Sequence, residues 1–221
     1  MSMDPAVKDL VGAGIYQREK GDVNIAIDKF NEALKIETDP SNRLYIQNHL
    51  ALAYYHAGKY EDAKEIWKMV RDLSSVISNP GEKAVAFRNL SRPELWKTDD
   101  DLALAQSNAW IALQMAKEIG RKDLAWFWHG YFSATERLNL DKSVKRTVLK
   151  SALKEQYQSL RKVWKSASPL ERNVWGTAYL MDWVKVHTRL SKPILKISYV
   201  FAKILNLKRR EEKIKKMLES A

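Results

Sequence analysis

Gly21, Ala26, Phe30 and Ala33 return as Gly58, Ala63, Trp67 and Val70, each 37 residues further along the chain. A period of that length, with a small residue at a turn and apolar residues at helical intervals behind it, marks stacked helical hairpins. One such hairpin cannot bury its apolar face alone. The pattern therefore commits the chain to an array in which each unit covers the next, and arrays of this kind present surfaces more often than reactive groups.

Composition agrees with an array of helices. Only 8 Gly and 6 Pro occur in 221 residues, Ala, Leu, Lys and Glu dominate, and runs of alternating Val, Ile and Thr are scarce, which favours helix over strand throughout. The expected fold class is all-α: an α-solenoid of stacked antiparallel helical hairpins, about ten helices in all. There are no cysteines, which excludes a disulfide framework, a thiol nucleophile and a cysteine zinc site. A cytoplasmic location is the expectation. No basic leader precedes an apolar run, and the longest apolar stretch, near residues 194–207, is broken by Lys196 and Lys203, so neither export nor a membrane-spanning helix is expected.

Helix starts are marked by a side-chain oxygen placed before proline, because the oxygen caps free N–H groups and proline suits the first helical position. Asp4-Pro5, Asp39-Pro40, Asn79-Pro80 and Ser168-Pro169 have this form, and Glu82 and Glu171 stand where a capping box needs them. With a restart after Gly120, hairpins begin near residues 5, 40, 80, 121 and 169. Second breaks fall at Gly21, Gly58, residues 98–101, 139–141 and 191–193. Pro93 should kink or end the fifth helix, since it removes a backbone donor and clashes with the preceding turn. Residues 1–167 thus read as four helical pairs, the first two most regular, and residues 168–221 as a divergent pair with a basic amphipathic last helix.

Residues 5–77 resemble two tetratricopeptide repeats, through Gly14, Gly21, Ala26, Phe30 and Ala33 in the first and Tyr54, Gly58, Tyr60, Ala63 and Trp67 in the second. The spacing is longer than that family's period of about 34 residues. Val70 replaces an alanine, and Tyr16 sits one place from the family's tyrosine. Beyond residue 80 the resemblance thins to Ala105, Ala109, Ala112 and Gly130. The resemblance implies a non-enzymatic scaffold that binds a peptide in the groove lined by the first helix of each pair. Setting Gly14, Ala51 and Gly130 as equivalent places Lys8, Val11, Ile15, Arg18, Tyr45, Asn48, Leu52, Tyr55, Phe127 and Tyr131 on that surface. Their mix of aromatic, amide and basic groups suits a segment with apolar anchors and some acidic character. The lysine–asparagine clamp by which family members hold chaperone tails is not reproduced, since Val11, Ile15 and His49 stand at its positions.

Charge is lopsided. Residues 141–221 hold 20 Lys/Arg against 7 Asp/Glu, whereas residues 1–140 hold 18 against 20, so an acidic partner is expected for the C-terminal part. Apolar residues from Ile194 to Leu207 spread over most of the last helix's circumference, more than the end of a solenoid should leave bare. The basic run after them is expected to carry the helix away from the body. Ile197, Val200, Phe201, Ile204, Lys208, Arg209 and Arg210 are therefore candidates for a second contact, with another copy of the chain or a partner protein. Nucleic acid or an anionic membrane is the alternative ligand of this basic region.

Nothing points to catalysis. His49, His56, His129 and His187 have no metal-ligand spacing and no carboxylate beside them at a matching interval, and no phosphate loop or nucleophile elbow occurs. No metal and no cofactor is expected. Trp126, Phe127, Trp128, Tyr131 and Phe132 crowd one helix and point to nearly all sides, the pattern of a buried helix rather than a base-stacking platform.

Overall fold

The computed structural model describes residues 3–96, 98–187, 191–204 and 208–219. Among them the chain forms eleven α-helices and no strand. They are α1 (Pro5–Lys20), α2 (Val23–Ile36), α3 (Pro40–His56), α4 (Tyr60–Val76), α5 (Pro80–Leu90), α6 (Asp99–Glu118), α7 (Leu124–Arg137), α8 (Lys142–Val163), α9 (Pro169–Val186), α10 (Ser191–Ile204) and α11 (Lys208–Glu219).

The caps explain where these helices begin. Asp4 accepts from the Ala6 N–H, Asp39 from Asn42, Asn79 from Glu82 and Ser168 from Glu171, each with proline behind it. Glu171 completes the capping box with Ser168, while Glu82 leaves its own cap to bind Asn48 of α3. Thr98 and Asp101 form a box that the proline rule does not find. Gly21 and Gly58 turn the chain at φ 101 and φ 79, a left-handed region that glycine enters without a Cβ clash. α5 ends at Leu90, and Pro93 opens a single 3-10 turn, Pro93–Leu95, so the first helix of the third unit is the short one.

Each helix packs on the next in the chain, and the odd-numbered helices α1, α3, α5, α7 and α9 also touch one another in order. The even-numbered helices scarcely meet. Closeness on one side and spreading on the other curve the array, with the odd helices forming its inner wall. The core runs along the array in steps. Val7, Phe30, Ala33 and Ile46 lie at the start, Ala51, Trp67 and Leu90 follow, and Leu113, Phe127, Phe132 and Leu153 fill the middle. The boundary drawn at residue 167 falls in the turn between α8 and α9.

Gly14 shows how tightly one hairpin closes. A Cβ there would lie 2.7 Å from Cε1 of the fully buried Phe30 ring. Gly14→Ala is expected to cost about 1–3 kcal/mol through overpacking, read as a lower urea midpoint at unchanged slope.

The C-terminal segment corrects an expectation. Rather than continuing one helix away from the body, the chain starts α11 at Lys208, and α11 packs against α10 and reaches α1. Ile214 is fully buried beside Met181, Val184 and Leu195, with Met217 and Leu218 packed around it. An apolar stripe among the lysines thus folds the basic helix back as a cover. Leu205 and Leu207 flank Asn206 outside the described residues.

Candidate functional site

The inner wall is polar at its centre. Starting from its first units, the buried Arg18 donates from Nη1 to His49 Nδ1 at 3.0 Å, so that this imidazole nitrogen accepts. His49 also stacks on Phe30 and meets the Tyr45 ring edge-on. Burial, then the Arg18 charge, pushes the His49 pKa down to about 3. The unfolded chain takes up a proton here below about pH 6.5, while the folded chain stays neutral. Stability from this site is therefore complete above about pH 6.5 and is lost towards about pH 3, by up to about 1.4 kcal/mol per pH unit. His49→Gln keeps an acceptor for Arg18 and is expected to shrink the drop in Tm between about pH 7 and pH 5.

One step along, Asn48 Nδ2 donates to Glu82 Oε2 at 2.7 Å, tying α3 to the start of α5. Burial holds the Glu82 pKa above its ordinary value, with the Asn48 bond opposing the shift.

Beyond this lies a recess of 150 Å³ lined by Tyr55 of α3, Arg88 of α5, the turn Ser91 to Glu94, five residues of α7 from His129 to Arg137, and Lys185 of α9. Every helix that contributes is odd-numbered. Arg88 stacks its guanidinium 3.8 Å from the Trp126 ring centroid and donates from Nη1 to Asn89 Oδ1 at 3.3 Å. Arg92 donates from Nη2 to the same oxygen at 3.3 Å and lies over the Tyr55 ring. Gly130 makes the room for this, since a Cβ there would stand 3.2 Å from Arg88 Nε. Burial pushes the Tyr55 hydroxyl up to about 12. On the far side His129 Nδ1 and Asp182 Oδ2 are 2.6 Å apart, and Lys185 pairs with Glu136.

The expected groove residues divide in the structure. Tyr55 lines the recess, and Ile15, Tyr45 and Leu52 are partly buried. Lys8 is exposed. Val11 and Phe127 are core residues and offer a ligand nothing. Arg18 and Asn48 are buried in links between units. Tyr131 turns towards α6, where its hydroxyl accepts from Gln106. On α7 the wall residues are His129, Ser133 and Glu136 instead, because Gly130 itself faces Arg88. No carboxylate stands at a matching sequence interval from the histidines, yet Asp182 reaches His129 from a helix 53 residues on.

Arg88, Arg92, Glu136 and Lys185 were absent from the expected wall, yet a signal for the arginines exists. The 37-residue step that links Gly14 to Ala51 leads next to Arg88, and the step from Arg18 to Tyr55 leads to Arg92. An arginine at the unit's small-residue position is the departure that marks the recess.

Of the second group, Ile197 and Val200 are each 53% exposed, so α11 leaves a ridge of α10 uncovered. The side chains of Phe201, Ile204, Lys208, Arg209 and Arg210 lie outside those described. On α8, Lys142, Arg146, Lys150 and Lys154 are all exposed at successive four-residue steps. Among the described residues no group of His, Asp and Glu could hold a metal ion, and no helix is long and apolar enough to cross a membrane.

No protein-family model and no curated protein matches the sequence. Solved structures do. A Podosopora anserina protein, named as a kinesin light chain with nearly identical TPR-like repeats, superposes with a TM-score of 0.52 over 92% of this chain and 99% of its own, at 13% identity. The chain has a tetratricopeptide-like repeat fold. At that identity the likeness speaks for architecture alone.

Proposed function

We infer that the protein is a non-enzymatic adaptor that holds a peptide or protein segment along the inner wall of its tetratricopeptide-like array. The observation that carries this reading is the recess lined by odd-numbered helices and the turn Ser91 to Glu94, with Ile15, Tyr45, Leu52 and Tyr55 of α1 and α3 partly buried. Such a wall offers apolar anchors beside a polar centre, the combination that recognises an extended or helical segment. Repeat folds of this kind generally mediate protein association.

The test is selection from a displayed random-peptide library on the full chain. Enriched peptides are expected to lose affinity with Tyr45→Ala and Leu52→Ala on the inner wall and to keep it with Tyr157→Ala on α8. A library that yields no enriched sequence, or binding equally sensitive to the α8 change, would overturn the reading.

A second reading rests on the exposed stripe Lys142, Arg146, Lys150 and Lys154, which suits a run of phosphates on nucleic acid or an anionic membrane. It expects affinity for RNA or anionic vesicles that falls steeply with salt. Charge reversal at Arg146 and Lys150 should abolish it while leaving peptide binding intact. The uncovered Ile197 and Val200 would add self-association, which sedimentation of an Ile197→Asp variant would remove.

A further inference from the structure

The exposed face of α8 carries rings as well as cations. Lys142, Arg146, Lys150 and Lys154 advance along it in four-residue steps, and Tyr157, Arg161 and Trp164 continue within the same arc of about 120° at the usual helical rotation. All seven are exposed. Residues 142–165 hold eight Lys/Arg and one carboxylate, Glu155, which the same rotation turns to the other side of the helix. Among the described residues none of the five cations on the arc forms an ion pair.

The two rings are braced without being buried. Tyr157 is 46% exposed, with its ring centroid 5.6 Å from that of Tyr179 on α9 and 5.9 Å from the Arg161 guanidinium. Trp164 is 43% exposed and lies over Gly176 of α9, where a Cβ would stand 3.5 Å from its Cη2. Seven residues separate the rings, which is about 10 Å along the axis, so each can meet a different base. An interfacial helix binds lipid by sinking its apolar face among the acyl chains. α8 has no such face to offer, because Leu149, Ala152, Leu153 and Leu160 are buried against the body of the array. In a duplex the bases already stack on one another, whereas unpaired bases leave their faces open to an aromatic side chain.

We propose that this face of α8 binds single-stranded nucleic acid, its cations following the phosphates while Tyr157 and Trp164 stack on unpaired bases. The proposal rests on the reading of the stripe as a phosphate-binding surface, and it adds the strandedness of the ligand and the two side chains that sense it. Cations alone hold one or two strands alike. The rings supply the preference.

The experiment measures the fluorescence anisotropy of a labelled oligouridylate with the full chain across a salt series, beside an RNA duplex of the same length. Oligouridylate is expected to bind about tenfold more tightly than the duplex, with an affinity that falls steeply as salt rises. Tyr157→Ala and Trp164→Ala should each weaken it by about tenfold and leave the salt dependence unchanged, since a ring releases no counterion. Trp164→Phe, which keeps a ring packed on Gly176, should retain most of the affinity. Arg146→Glu should instead flatten the salt dependence. Equal affinity for duplex and single strand, or alanine variants that bind as the parent does, would overturn the proposal while leaving the cation stripe as a phosphate-binding surface. Displacement of the oligonucleotide by polyglutamate at equal charge would overturn it too, because a ligand without bases would then suffice. A parent chain that holds neither nucleic acid at low salt overturns it as well: if phosphatidylserine vesicles bind in their place the reading of the stripe survives, and if they do not both fall.

Discussion

Trp67→Ala is expected to cost about 3–5 kcal/mol and to lower Tm by about 10 °C, a change large enough to leave the array partly unfolded at moderate temperature. Trp67 is fully buried between α3 and α5, against Ala51, Ala63, Leu90 and Leu95. Alanines on two sides cannot swell to fill the space, so the cavity stays. Trp67→Phe should cost far less, under about 1.5 kcal/mol. The indole Nε1–H of Trp67 has no hydrogen-bond partner, so phenylalanine removes an unsatisfied donor while keeping most of the ring. Phe30 already fills the equivalent place 37 residues earlier. Thermal melts of the two variants side by side would check the pair, and equal losses would show that filling the ring's volume is not what stabilises this site.

His129→Ala is the second severe change, with an expected cost of about 3–5 kcal/mol. Asp182 has a side chain only 1% exposed, its Oδ2 lies against His129, and its Oδ1 has no partner. Removing the imidazole leaves a buried acid without its neighbour. Replacing both residues by leucine should recover most of the loss, because the desolvation cost disappears with the pair. A double-mutant cycle by urea denaturation would show this as a coupling energy of opposite sign to the single losses. Independent, additive losses would mean that His129 and Asp182 act through packing alone.

Helix positions were largely legible from local chemistry. Aspartate, asparagine or serine before proline, and glycine at the first two hairpin turns, act within one helical turn, and the structure begins and ends its helices there. The inner wall was less legible, because it depends on the rotation of each helix about its own axis. On α1 and α3 the chosen register set Val11 and Asn48 facing inward, whereas one is packed in the core and the other is tied to Glu82. On α7 the Gly130 register chose Phe127 and Tyr131, and Arg88 lying over Gly130 sets the helix so that Ser133 and Glu136 face the recess. The His129–Asp182 contact joins residues 53 positions apart and has no local signature. α11 was hidden for another reason: Ile214, Met217 and Leu218 are few among many lysines, and only packing reveals that they share a face.

The meeting of α11 with α1 bears on how the chain comes apart. An open stack can fray from either terminus, one hairpin at a time, since each hairpin is held only by its neighbours. Here the first helix is gripped from behind as well as from ahead, so loosening the amino-terminal hairpin must also release the last one. Amide protons of α1 should consequently exchange with solvent as slowly as those of the central helices, and the two termini should open together rather than in turn.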